Sequence, residues 1–250
     1  MSGHSKWSTI KHKKAAIDAK RGKVFSKIAK EIMVAARTGG GDPAANITLR
    51  SLVQKARGVN MPADNIDRAI KKGTGELDGV TMEEIMYEGY APGGIAVIVQ
   101  VLTDNKNRSA AEVRHVFTKH NATLAGQGSV TRSFNRKGVI TVKSDAMPED
   151  ALLEQALEAG AEDVTNEGDV YEIVTAPSDY AQVDETLRNA ELPIEDSELT
   201  LVPDTYMPIV DKDQAQSLMN FIEALEDLDD VQNVYSNVDI ADDVMEALSA

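Results

Sequence analysis

Apolar residues recur at helical spacing only after a first stretch that lacks it. Residues 1–21 offer Ile10, Ala15, Ala16 and Ile17 for burial and no sustained period, which reads as a basic arm ordered on its target. From Gly22 the pattern changes. Phe25, Ile28, Ile32 and Ala36 follow i, i+3, i+7, i+11 spacing, with Ala29 in the same stripe. Lys23, Lys27, Lys30 and Arg37 fall on the opposite face. This helix stops at Gly39-Gly40-Gly41. A second follows Asp42-Pro43 with Leu49, Leu52, Val53 and Ala56 inward. A third runs from Pro62 to Gly73, with Ile66, Ala69 and Ile70 inward and Arg68, Lys71 and Lys72 outward. The glycine-containing GTGELDG at 73–79 reads as a linker.

Beyond it the period alternates between strand and helix. Ile95–Thr103 (IAVIVQVLT) is β-branched and nearly continuous, hence a strand buried on both faces. A helix over 107–120 turns Ala110, Val113, Val116 and Phe117 inward. Strands are predicted at Gly128–Phe134 and Gly138–Lys143, then a helix at 148–159 with Leu152, Leu153, Ala156 and Leu157 inward. Strands near Ala161–Thr165 and Val170–Thr175, a helix at 178–190 and strands at 195–202 and 205–210 follow. A helix at 212–228, a strand at 231–239 and a short terminal helix close the chain.

From Gly138 to Val202 this order is β-α-β-β-α-β, a complete split βαβ unit. The β-α-β segments on either side, 95–134 and 205–239, form two halves of another. The fold class is therefore α+β: an N-terminal helical bundle and two ferredoxin-like split βαβ domains, one inserted in the other. The expected divisions are an arm at 1–21, a helical nucleic-acid-binding domain at 22–79, a discontinuous α/β domain at 80–135 plus 204–250, and an inserted acidic α/β domain at 136–203. Two consecutive domains, or one larger sheet, are the plainer alternatives.

Charge sharpens this picture. The 250 residues carry a formal net charge of −15, yet residues 1–80 hold 16 Lys/Arg against 7 Asp/Glu, a balance of +9. Residues 81–143 stand at +3, and residues 144–250 at −27, with Arg188 and Lys212 as their only cations. Such polarity suits a basic module for nucleic acid joined to an acidic body that keeps it soluble. Internal pairing of the two ends is the plainer reading. Lys6, Lys11, Lys13, Lys14, Lys20, Arg21, Lys23, Lys27 and Lys30 give the cations that backbone phosphates need, with Ser2, Ser5, Ser8 and Thr9 among them to fix register. Trp7, the one tryptophan, lies in a segment without a core. It serves either stacking on a base or docking on the helical domain. Lysine outnumbers arginine there, which favours backbone contact over bidentate base reading.

Other chemistry is scarce. With no cysteine there is no disulfide, thiolate metal site or cysteine nucleophile. No apolar run approaches the roughly 18 residues of a membrane span, and no apolar stretch follows the basic N-terminus as in a signal peptide. GxSxG, HExxH and Walker A patterns are missing, and Gly126-Gln127-Gly128 precedes a strand, the wrong context for a dinucleotide fold. His115 and His120 do not share a helix face; Glu112 with His115 reads as a surface pair. Acid pairs such as Asp229-Asp230 read as solvated faces. An RNA-recognition module would stack bases on strand aromatics, which Lys137–Val142 lacks. Tyr87-Glu88-Gly89-Tyr90-Ala91-Pro92-Gly93-Gly94 reads as a functional loop or an interdomain corner that glycine permits.

Longer motifs carry a resemblance. Gly3-His4-Ser5-Lys6-Trp7, Lys13-Lys14-Ala15-Ala16, Asp18-Ala19-Lys20-Arg21-Gly22-Lys23 and Phe25-Ser26-Lys27 resemble the opening of the YebC family. Gly39–Pro43, Tyr87–Tyr90, Asp104–Arg108 and Gly126–Val130 continue it over essentially the whole chain. The resemblance implies three domains, one helical and two α/β, and a cytoplasmic, non-enzymatic regulator of gene expression that uses no cofactor or metal and no membrane. Members are described as transcriptional regulators that bind DNA. Others, including a mitochondrial activator of cytochrome oxidase translation, act on the ribosome and relieve stalling at proline-rich sequences. The partner implied is DNA or ribosomal RNA, with the ribosome and a protein partner of the acidic domains beside it.

Overall fold

The computed structural model describes residues 19–78 and 81–249, without the side chains of 19–21, 242, 246 and 249. Three helices open it: α1 (Ala19–Gly39), α2 (Ile47–Gly58) and α3 (Ala63–Thr74). Helix α1 thus begins three residues before the expected Gly22. Ile28, Ile32, Ala35 and Ala36 of α1 are buried with Leu49, Val53 and Ala56 of α2 and Ile66 and Ala69 of α3. Asn46 fastens the turn between the first two. Its carboxamide caps α2 by accepting from Leu49 N at 3.1 Å and donates to the carbonyls of Ala35 and Gly40, both at 2.8 Å.

The next element departs from expectation. Tyr87–Ala91 is no loop or corner but the end of strand β1 (Glu83–Ala91), which pairs antiparallel with β2 (Ile95–Thr103) through a turn at Pro92-Gly93-Gly94. Both glycines have positive φ, 89° and 80°, the backbone that a tight hairpin turn demands. After β2 come α4 (Lys106–Lys119) and the short β3 (Thr123–Leu124).

No strand forms over Gly128–Ser133. A single 3₁₀ turn (Thr131–Ser133) leads instead into β4 (Phe134–Lys143), which runs unbroken through Gly138. The reason is that Glu88 claims the N–H groups of Gly128, Val130 and Thr131, while those of Ser129 and Ser133 turn back to the Gly126 and Val130 carbonyls, which takes them from a ladder.

The elements α5 (Glu149–Ala159), β5 (Ala161–Asn166), β6 (Val170–Thr175), α6 (Tyr180–Asn189) and β7 (Ile194–Pro203) join β4 in an antiparallel sheet ordered β5-β6-β4-β7. Leu152, Ala156, Val183 and Leu187 cover it. Leu153 and Leu157, expected inward, are exposed. The helix turns Leu152, Ala156 and Ala159 to the sheet, an i, i+4, i+7 stripe that leaves the other two leucines outside it.

The chain then returns through β8 (Met207–Ile209), α7 (Lys212–Glu226), β9 (Val231–Ser236), β10 (Val238–Ile240) and α8 (Asp242–Ser249). The other four-stranded sheet is β3-β1-β2-β9. The halves 95–134 and 205–239 therefore do not supply its four strands in the expected way. Strand β1, from before the first half, takes an interior place, and β8 leaves to pair in parallel with β10. The expected strand 231–239 breaks at Asn237, whose side chain accepts from Ala96 N at 2.8 Å and whose carbonyl accepts from Met207 N at 2.7 Å. Strand β2 is buried on both faces: Val97, Val99 and Val101 meet α4 and α7, while Ala96 and Ile98 pack against Val130 and Phe134.

Gly89 shows how closely these layers approach. A Cβ there would lie 2.5 Å from the Phe117 ring and 2.5 Å from the Thr123 carbonyl oxygen. Gly89→Ala is expected to cost about 1–3 kcal/mol, read as a lower denaturant midpoint with the slope of the transition unchanged.

Candidate nucleic-acid interface

Of the residues expected to meet phosphate, Lys6, Trp7, Lys11, Lys13 and Lys14 lie outside the described residues. Lys20 and Arg21 begin α1, and their side chains lie outside them too. The structure gives Lys23, Lys27 and Lys30 partners within the chain. Lys23 Nζ donates to the Asp227 carbonyl at 2.9 Å and pairs with Asp227 Oδ1 at 3.2 Å. Lys27 Nζ donates to the Glu226 carbonyl at 2.9 Å. Lys30 Nζ donates to the Asp229 carbonyl at 2.8 Å and to Asp230 Oδ1 at 2.7 Å. One lysine row of α1, spaced i, i+4, i+7, thus clasps the C-terminal end of α7, where unsatisfied carbonyls and the helix dipole favour cations.

Asp230 is the centre of that clasp and is not a solvated acid: it is 4% exposed. Its Oδ2 accepts from Arg108 Nη2 at 2.7 Å, Ser109 Oγ at 2.7 Å and Thr103 Oγ1 at 2.9 Å, and its carbonyl accepts from Leu102 N at 2.8 Å. Burial pushes its carboxyl up, but the hydrogen bonds from Lys30, Arg108, Ser109 and Thr103 outweigh that and hold it far below the usual carboxylate range. Its own bonds to Asp230 and then to Asp104 raise the Arg108 guanidinium further.

A second buried carboxylate braces a loop. Glu88 is 2% exposed and accepts from Gly128 N, Val130 N and Thr131 N at 2.6–2.9 Å. Burial raises its carboxyl, but the backbone N–H groups prevail and hold it below its ordinary value. A cavity of about 560 Å³ lies alongside, with Tyr87, Arg114 and Gln127 in its walls. Elsewhere His120 packs against the Phe221 ring at 5.6 Å. No group of His, Asp and Glu suited to a metal occurs among the described residues, and none of the described helices is long and apolar enough to cross a membrane.

Other cations of the three helices have no such partner among the described residues. Arg37, Arg57, Arg68, Lys71 and Lys72 are exposed, and no ion pair with a described residue holds them. By contrast Arg50 donates to the Pro43 and Ala44 carbonyls and Lys55 pairs with Glu31. Between α1 and α3 runs a groove of about 200 Å³, floored by Phe25, Ala29 and Met33 and rimmed by Asn65, Arg68 and Lys72. The outward placing of Arg68, Lys71 and Lys72 is visible in the helical period. Nothing in the sequence marks Asp230 or Glu88 as buried.

Comparisons with known proteins identify the family. Residues 5–76 match the family model of the TACO1/YebC protein N-terminal domain, and residues 82–238 match that of the TACO1/YebC second and third domain. The chain belongs to the TACO1/YebC family. It is 53% identical to a probable transcriptional regulatory protein of Desulforapulum autotrophicum over 248 residues, covering 99% of this chain and all of that one. It is 54% identical to one of Trichlorobacter lovleyi, again over 99% of this chain and all of the relative. The crystal structure of a conserved hypothetical protein, Aq1575 from Aquifex aeolicus, superposes with a TM-score of 0.83 at 48% identity, over 92% of this chain and 94% of that one.

Asp230→Asn leaves Lys30 facing a neutral, buried partner, and a loss of about 3 kcal/mol is expected at neutral pH. The folded carboxyl titrates below the unfolded one, so its contribution is complete above about pH 5 and fades as the pH falls through and below about 4. Denaturant midpoints of wild type and variant across this range should therefore converge in acid. A gap that stays constant down to pH 3 would show that Asp230 is not held ionised by these partners.

Proposed function

We propose that this chain is a cytoplasmic, nucleic-acid-binding regulator of gene expression that acts by binding and has no catalysis of its own. The observation that carries the reading is the set of exposed cations on the helical module, Arg37, Arg57, Arg68, Lys71 and Lys72, none paired with a described residue, in a chain of formal net charge −15. Such a surface attracts polyanions, and the acidic remainder repels them, so a nucleic acid is confined to one end of the molecule. The family supports it, because relatives over the whole length are named probable transcriptional regulatory proteins. The arm cations Lys6, Lys11, Lys13 and Lys14, with Lys20 and Arg21, extend the surface, and Trp7 adds a stacking group. Duplex DNA is the partner on this reading; structured ribosomal RNA is the alternative the same charges serve.

The two rows of cations separate the roles. Replacing Arg68, Lys71 and Lys72 by Gln should weaken binding to all sequences and flatten the dependence of log affinity on log salt by about 0.9 per lost phosphate contact on duplex DNA. Replacing Lys23 and Lys27 by Ala should leave that slope unchanged and lower the denaturant midpoint, because their partners, Asp227 and Glu226, lie at the C-terminal end of α7. Titration of the full chain against duplex DNA and a structured RNA hairpin over a series of salt concentrations reads both. Failure to bind either one at low salt would overturn the proposal.

A further inference from the structure

The geometry points to the groove between α1 and α3 as a seat for one unpaired nucleobase, with the adjoining phosphate held by Arg68 and Lys72. This deepens the nucleic-acid reading and rests on it. Three features of the groove select that ligand. Its floor is apolar: Phe25, Ala29 and Met33 line it and are only partly buried by the module's own core. A phosphate gains nothing from such a floor, whereas the flat face of a base does. Its rim is cationic on one side, where Arg68 and Lys72 stand one helical turn apart and neither is spent on a described carboxylate. No carboxylate lines it, in a chain whose acids outnumber its bases by 15. At the rim stands Asn65, whose carboxamide offers both donor and acceptor to a base edge and makes no hydrogen bond with a described residue.

Size argues against a duplex. A space of about 200 Å³ admits a single ring system and not a stack of paired bases, so the base must already be unpaired or be turned out of its helix. The lysine row that would otherwise compete for the backbone is occupied by α7, which leaves α3 as the phosphate side of the seat.

A short oligothymidylate carrying one 2-aminopurine tests this on the full chain. Stacking in the seat should quench the 2-aminopurine fluorescence on binding. Ala29→Leu, which fills the floor and leaves every cation in place, should weaken binding of this single strand about five- to a hundredfold without changing its salt slope or the affinity for a fully paired duplex. Arg68→Gln with Lys72→Gln should instead flatten the single-strand slope by about 0.7 per contact. Bound oligonucleotide whose 2-aminopurine stays bright, or an Ala29→Leu protein that is folded and binds the single strand as tightly as wild type, overturns the seat while the nucleic-acid reading stands. If no nucleic acid binds at all, both fall.

Discussion

The seating of the helical module on the rest of the chain centres on one buried carboxylate. Asp230 closes the turn after α7 at the edge of the sheet, and a charge placed there must be neutralised or it would not remain ionised. Arg108, Ser109 and Thr103 from the β2–α4 corner supply part of that neutralisation, and Lys30 from α1 supplies the rest. Around it the chain stacks further negative charge on an unfavourable site. Glu226, Asp227 and Asp229 crowd the C-terminal end of a helix, where the dipole is already negative. Lys23 and Lys27 relieve this by reaching the last carbonyls. The acidic end of α7 and the lysine row of α1 are therefore each poorly placed alone and well placed together.

This contact resolves the polarity of the sequence by face. Internal pairing of the two ends accounts for the lysine row of α1, and the reading as a nucleic-acid module is left to cations elsewhere on the helices. One lysine row of α1 is spent inside the molecule, while the cations of α3 are left outside. Within the β3-β1-β2-β9 sheet, polar side chains join β9, β2 and β1 to one another. Tyr235 Oη and Asn233 Nδ2 both donate to Gln100 Oε1 at 2.9 Å, and Gln100 Nε2 donates to Glu84 at 2.6 Å. Burial, then the charges of Glu198 on β7 and Glu31 on α1, hold the Tyr235 phenol well above its ordinary value.

The sequence made the helices legible because their apolar stripes are regular and their ends are marked by Gly and Pro. It hid β1, whose alternation is broken by Glu88 and Gly89 at positions that turn out buried. A carboxylate and a glycine in a row of aromatics look like a loop until the partners of the carboxylate are known. Those partners are backbone N–H groups some 40 residues on, which no local pattern reveals. The same blindness made Asp230 look like a solvated acid, since Asp229 and Asp230 are identical in sequence and opposite in environment. At the candidate interface, the lysine period of α1 was plain, but its target was not. Periodicity tells which residues share a face and is silent on whether that face meets phosphate or the end of another helix.

That distinction bears on how such a protein keeps from binding its own acidic body. A lysine side chain is a flexible point charge and readily satisfies carbonyls at a helix end, whereas a guanidinium at the rim of an apolar groove is better suited to a planar, phosphate-linked partner. Helix α1 contributes lysines to the internal clasp, and α3 sets an arginine, Arg68, beside Lys72 at the groove. The internal contact also draws on backbone carbonyls, which no change of salt or pH removes. Mobile counterions would weaken the exposed cations of α3 far more than the clasp, because Asp230 is buried and screening acts chiefly on exposed charge. On the proposed function, a nucleic acid held by those exposed cations would exchange with ionic conditions while the module's own attachment holds.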